Sequence, residues 1–429
     1  MIRSALTLAL VLLACWLVPH TWRERRLFYR DFAYTATEAR DLGRFPVALQ
    51  AYGLEAWSRL DLEAATGYFR AAADRDPLFI DAWLELAEAE AASGRAESAR
   101  RVLAFTHGLT APVMRWKWPQ TLLAHELDDE AVLRHNVDFL AARGRKLADV
   151  FNLVDTRYGG DPAPVLAFLA PAGWPAYLEW LMRWQRTAAA SVVWGALEAS
   201  GGANPEMLLK YADFLLRTKK TAAAAEVWRR HTGTTGMTNP GFEAESSGTG
   251  FDWRLARDVA EHWQLRRVAG EGREGSHALR LNFSGRENLD FHHARQIVPV
   301  TPGEAVRLRW WWRAKGLSTD RGPCVEVSGY DAPGLNLRSP MLLGTSDWRE
   351  EHLDFNPPPG CRAVVVRLRR LPSRRFDSKI AGTLWVDDFA LEEAPPGAPP
   401  ALGVRREERA AGAAPGGRMH GAGRAPVDS

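Results

Sequence analysis

Two periodicities divide the chain. From Leu27 to residue 231, apolar residues return at three- and four-residue spacing in segments rich in Ala, Leu, Glu and Arg, the pattern of amphipathic helices. Breaks at Gly43-Arg44-Phe45-Pro46, Asp76-Pro77, Ser93-Gly94, Gly108, Pro112, Gly144, Gly159 to Pro162, Pro171 to Pro175 and Gly201 to Pro205 cut this stretch into short helices joined by tight turns. A stack of helical hairpins follows. From Gly241 to Leu391 the period falls to two. Val306, Leu308, Trp310, Trp312 and Ala314 share one face of a strand, and Arg307, Arg309, Trp311 and Arg313 the other. Trp310 and Trp312 are therefore core, and Trp311 is the outward ring. Val364, Val366 and Leu368 form a second inward set, leaving Val365, Arg367 and Arg369 outside. Further strands are predicted at 278–283, 292–300, 324–328, 348–355 and 383–391. With turns such as Thr301-Pro302-Gly303 and Pro358-Pro359-Gly360, they predict an all-β jelly-roll sandwich without helix.

The ends differ from both. Ile2 to Val18 is apolar apart from Arg3, Ser4 and Thr7, and a basic cluster follows at Arg23 to Arg26. This predicts an N-terminal membrane helix over 1–26, with three readings open: an uncleaved anchor, a cleaved signal peptide, or lipidation at Cys15 in Leu12-Leu13-Ala14-Cys15. After residue 393 Pro, Gly, Ala and Arg dominate, and a disordered tail is expected over 394–429. The expected domains are thus 1–26, a helical domain over 27–231, a sandwich over 232–393 entered through the Gly/Thr hinge Thr232 to Gly236, and the tail.

Composition narrows function. Fifty-five basic against 52 acidic residues leave a net charge of +3, with no large positive field for nucleic acid. The three cysteines include no short-spaced pair, which removes thiolate metal clusters and a Cys-x-x-Cys redox motif. Cys324 and Cys361 are either bridged or two buried thiols. No Gly-x-Ser-x-Gly, His-Glu-x-x-His or phosphate-loop motif occurs, and the adjacent His292-His293 and Glu350-Glu351 face opposite sides of a strand, so no reaction is expected. The 18 tryptophans need a use. Trp116, Trp118, Trp174, Trp180 and Trp184 read as helical core.

Tyr177, Leu181, Ala190, Val193 and Trp194 return 34 residues later as Tyr211, Leu215, Ala224, Val227 and Trp228, and Ala65 returns as Ala99. In period and in the placing of small and large residues, 49–110 and 174–231 resemble the tetratricopeptide repeat, whereas 111–173 breaks the pattern. The resemblance implies an all-α solenoid with a protein partner on its concave face.

The sandwich resembles the galactose-binding-like jelly rolls that include carbohydrate-binding modules. The matching features are Asn239-Pro240-Gly241-Phe242-Glu243, Gly275-Ser276-His277-Ala278-Leu279, Gln296 to Gly303, Asp347-Trp348 and Trp385-Val386-Asp387-Asp388-Phe389. The resemblance implies a structural Ca2+ on Glu243, Asp387 or Asp388 and the Ser276 backbone. Glycan recognition needs aromatic faces beside planar hydrogen-bonding groups. By outward phase or loop position the candidates are Trp253, Arg254, Trp263, His292, Arg309, Trp311, Tyr330 and Arg367. The combined expectation is a non-catalytic, membrane-tethered accessory protein that scaffolds a protein complex and binds a glycan. Proteins combining such parts look like components of bacterial surface polysaccharide synthesis or export, which implies an inner-membrane protein with its soluble part in the periplasm. The alternative is a purely structural assembly factor whose sandwich binds no sugar.

Overall fold

A computed structural model describes residues 45–256 and 261–395. The expected membrane segment 1–26, Cys15 and nearly all of the tail lie outside the described residues. No helix among those described is long and apolar enough to cross a membrane.

The chain divides into two compact units between Gly202 and Ala203. The first contains α1 (Pro46–Ser58), α2 (Leu62–Arg75), α3 (Ile80–Ala92), α4 (Ala96–Thr110), α5 (Lys117–Glu126), α6 (Glu130–Ala142), α7 (Leu147–Arg157), α8 (Pro162–Phe168), α9 (Trp174–Arg183) and α10 (Thr187–Ala199). Proline opens α1 and α8, where its missing N–H costs nothing. Asp61, Asp129 and Asp161 cap α2, α6 and α8 by accepting from backbone amides. Gly108, a predicted break, lies inside α4: nothing crowds it, and one glycine costs a helix only about 1 kcal/mol.

The hairpin turns carry the repeat more clearly than the sequence does. Leu60, Gly94 and Asp128 stand at the 34-residue spacing, as do Gln185 and Lys219, and all five have left-handed backbone. The following amide closes each turn onto a carbonyl five residues back, as in Arg95 N to Glu90 O and Lys220 N to Leu215 O. Asp128 carries the period into 111–173, where side chains had hidden it. The paired positions are buried: Ala65 and Ala99, Tyr177 and Tyr211, Ala190 and Ala224. The helical tryptophans are less buried than expected. Trp184 is 63% exposed, because it follows the last residue of α9 and points away from the hairpin core.

The second unit contains α11 (Pro205–Arg217) and α12 (Thr221–Thr232), then two five-stranded antiparallel sheets. The last helical hairpin thus belongs with the sandwich. The first sheet has the order β1 (Arg254–Leu255), β4 (Phe291–Pro299), β9 (Ala363–Arg370), β6 (Cys324–Gly329), β7 (Asn336–Arg338). The second runs β2 (Trp263–Ala269), β3 (His277–Ser284), β10 (Ala381–Glu393), β5 (Val306–Ser318), β8 (Gly344–Phe355). Seven strands coincide with predicted ones; β1, β2 and β7 are additional. Trp310, Trp312, Val364, Val366 and Leu368 fill the space between the sheets, as their phase requires. Cys324 and Cys361 are free and buried, so they form no bridge; burial pushes the Cys324 thiol up to about 11.

Candidate functional site

The predicted glycan-binding residues do not form one site. Trp253 is fully buried, its ring 5.0 Å from both Phe242 and Phe389 and its Nε1 donating to the Asn239 carbonyl. It is core, because the Asn239 to Trp253 loop folds its aromatic residues back over the end of the sandwich. Arg309 and Trp311 lie on the outer face of the second sheet, away from the rest. There Arg309 pairs with Glu392 at 2.7 Å, and the Arg273 guanidinium lies 3.7 Å over the Trp311 ring. Arg313 similarly covers Trp385 at 4.4 Å and Trp348 at 5.2 Å. Cation–π stacking therefore occupies these ring faces. Tyr330 is also committed: its hydroxyl donates to the Leu216 carbonyl at 2.8 Å, and Lys219 Nζ sits 3.7 Å over its ring.

The outer face of the first sheet is different. Arg254, His292, Tyr330 and Arg367 come together there with Arg295, Glu326 and Arg338, which sequence reasoning did not single out. Two adjoining cavities, of about 310 and 280 Å³, share Arg254 and Arg295. The larger reaches His292 and His293. The smaller is bounded by Asp213 and Arg217 of α11, Tyr330, Ile297 and Val365. Val365, outward in phase, is only 8% exposed.

The two histidines share one side of their strand, contrary to expectation. A register shift between Phe291 and Ala294 breaks the alternation, and the His292 and His293 rings stack with centroids 4.5 Å apart. Trp263 stacks on His293 at 4.9 Å while packing against the core. Burial lowers the His293 pKa, with the His292 charge adding to the effect. Among the described residues no group of His, Cys, Asp and Glu is arranged to hold a metal ion.

At the end of the sandwich, the expected clasp residues do meet. A Cβ at Gly241 would stand 3.5 Å from carboxylate oxygens of both Asp387 and Asp388 and 3.9 Å from Glu243 Cγ, so the three acidic side chains surround this position, and a Cβ at Gly275 would clash with Glu243 Oε1, so glycine is needed there. Glu243 accepts from Ser276 Oγ at 2.6 Å and from the His277 amide at 3.1 Å. Those bonds, the Ser276 one first, pull its pKa down to about 2. Asp387 is fully buried and accepts from the amides of Arg273 and Asp388, both at 2.8 Å. Burial nevertheless pushes its pKa up to about 6, and the Asp388 and Glu243 charges push the same way. Asp388 itself has left-handed backbone at a register shift and faces Arg273 Nη1 at 3.2 Å.

No family model and no curated protein matches the sequence. The chain is similar to solved carbohydrate-binding modules over its β part. One is described as CBM4 (15% identity, 37% of this chain and 99% of that one, TM-score 0.28), and another as the second family 16 carbohydrate-binding module (17%, 37% and 99%, 0.26). A third comprises the CBM22-1-GH10 modules of a Clostridium thermocellum endo-1,4-beta-D-xylanase complexed with xylohexaose (12%, 37% and 29%, 0.26).

Proposed function

We propose that the sandwich is a non-catalytic carbohydrate-binding module whose binding face is the outer surface of the first sheet. The observation that carries this reading is the pair of joined cavities around Arg254 and Arg295, with half-open histidine rings at one end and a helix wall at the other. Guanidinium groups offer planar, fixed donors to sugar oxygens, and the His292–His293 stack offers an aromatic surface to a sugar ring. In the same proposal the helical hairpins are tetratricopeptide-like repeats that present the module to a protein partner, and residues 1–26 tether it to a membrane with its soluble part in the periplasm. Surface polysaccharide synthesis or export is the setting this combination fits.

The test is a glycan array on the full-length chain, with calcium and with chelator. Binding to at least one polysaccharide is expected, weakened about tenfold or more by Arg254→Gln, a loss of roughly 1.4 kcal/mol. Binding to none in either condition would reject the reading. A second reading, an assembly factor that binds no sugar, is favoured by one observation: Trp253, Trp311, Tyr330 and Trp385 all spend their rings on internal contacts.

A structural Ca2+ at the clasp belongs to the proposal. Its donors would be the hard oxygens of Glu243, Asp387 and Asp388 with backbone carbonyls of the Ser276 turn. Burial is the main cause of the raised Asp387 pKa, and the Asp388 and Glu243 charges add to it; a cation would offset that added repulsion. Bound there, the ion would hold the Asn239 to Glu243 segment against β10. At a hundredfold excess over its dissociation constant, Ca2+ is expected to raise the melting temperature of the sandwich transition by about 5 to 10 °C. Asp387→Asn should remove that response; an unshifted wild type would take calcium out of the proposal.

A further inference from the structure

One cross-strand row on the outer face of the first sheet has too many like charges for a neutral ligand. Register places Arg254 opposite Arg295, Arg295 opposite Arg367, Arg367 opposite Glu326, and Glu326 opposite Arg338. Neighbouring strands are about 4.8 Å apart, and like charges directly opposite one another destabilise a sheet. The acidic groups nearby do not balance the row. Glu326 is held by Arg338 at 2.7 Å, and its other oxygen stands 3.4 Å from Arg367 Nε without making a hydrogen bond to it. Asp213 accepts from Arg254 Nη2 at 2.8 Å; Nη1 is buried with no partner among the described residues. Arg295 lies between them, exposed, with no side-chain hydrogen bond or ion pair among the described residues.

The guanidinium groups of Arg254 and Arg295 thus line the two cavities with donors to spare, and that of Arg367 stands beside Arg295 in the same row. Sugar hydroxyls would satisfy those donors but leave the repulsion in place. An anionic oxygen pair does both, because a guanidinium fork matches it with two parallel N–H bonds, about twice as strong as neutral ones. Such strength needs a site shielded from water and salt. The α11 wall that nearly buries Val365 supplies part of that shielding. Removing the charge from the ligand should therefore cost far more than removing any one hydroxyl.

We propose that this groove takes an acidic polysaccharide, with Arg295 as the principal anion contact between Arg254 and Arg367. The proposal rests on the carbohydrate reading above and adds the ligand's charge to it. It also explains why Arg295 is left unpaired on a face where Arg338 and Arg369 each have a carboxylate.

The experiment measures binding of the full-length chain, at about 0.15 M salt, to polygalacturonate, its methyl ester, dextran sulfate, neutral dextran and polyglutamate. Polygalacturonate is expected to bind at least tenfold more tightly than its methyl ester, which keeps the backbone and loses the charge. Arg295→Gln should remove that tenfold preference, and Arg295→Lys should restore only part of it, since a point charge lacks the fork. Arg295 is exposed and unpaired, so neither variant threatens folding. Dextran sulfate bound with the same dependence on Arg295 would support the acidic-sugar proposal and favour sulfate as the anion. Equal binding of the methyl ester, indifference to Arg295→Gln, or polyglutamate bound as tightly as polygalacturonate would each overturn the proposal. The first two outcomes would leave carbohydrate binding standing; failure to bind any of the sugars would remove both.

Discussion

Arg370→Met is expected to destabilise the sandwich by about 3 to 5 kcal/mol, the cost of leaving two or three buried hydrogen-bond acceptors without their donor. Arg370 is completely buried at the end of β9. Its guanidinium donates to the Arg321 carbonyl at 3.2 Å, to Asn288 Oδ1 at 2.8 Å and to Thr319 Oγ1 at 3.4 Å, and also to the carbonyls of Leu289 and Ser378. One side chain thereby ties together three loops that no strand connects. Its removal leaves several buried oxygens without donors, each costing about 1 to 3 kcal/mol. Lysine should rescue little, because its three protons radiate from one nitrogen and cannot reach so spread a set. Hydrogen exchange on the full-length chain would read the effect at residues 285–290, 319–321 and 372–380. A loss under 1 kcal/mol, with protection retained there, would contradict the role assigned to Arg370.

Trp253→Ala should cost a similar amount, about 3 to 5 kcal/mol, for a different reason. The ring fills the space between Phe242 and Phe389, so alanine would leave a cavity that these two rigid aromatic neighbours, Phe389 itself stacked on Trp310, cannot collapse into. Loss of the Nε1 bond to the Asn239 carbonyl also loosens the loop that brings Glu243 to Asp387. Denaturant unfolding with calcium present and absent would separate the two contributions. Trp253→Phe retains most of the volume and should recover more than half the loss. Had Trp253 been a sugar-stacking ring, alanine would abolish binding and leave stability within about 0.5 kcal/mol.

Both residues illustrate what the linear pattern can carry. Arg370 continues the inward phase of Val364, Val366 and Leu368, so its burial was legible in principle. A charged residue in that phase reads as the end of the strand unless its partners are known, and here they come from three separate loops. Trp253 lies in a loop, where no period assigns a face. His292 and His293 misled for the converse reason, since one bulge cancels the alternation on which their separation was inferred.

The resemblance to galactose-binding-like jelly rolls implied that Glu243 could meet Asp387 and Asp388, whereas local periodicity determined that a helical stack precedes a two-sheet sandwich and that Trp310 and Trp312 are its centre. The latter two follow from the side-chain directions of helices and strands, which repeat with the backbone and need no tertiary partner. Which outward face is open was decided only by the three-dimensional arrangement. Guanidinium stacking closes the tryptophan face of the second sheet, and register lines up Arg254, Arg295 and Arg367 on the first. Contacts between residues far apart in the chain set both outcomes, and no spacing along one strand encodes which strand lies beside it.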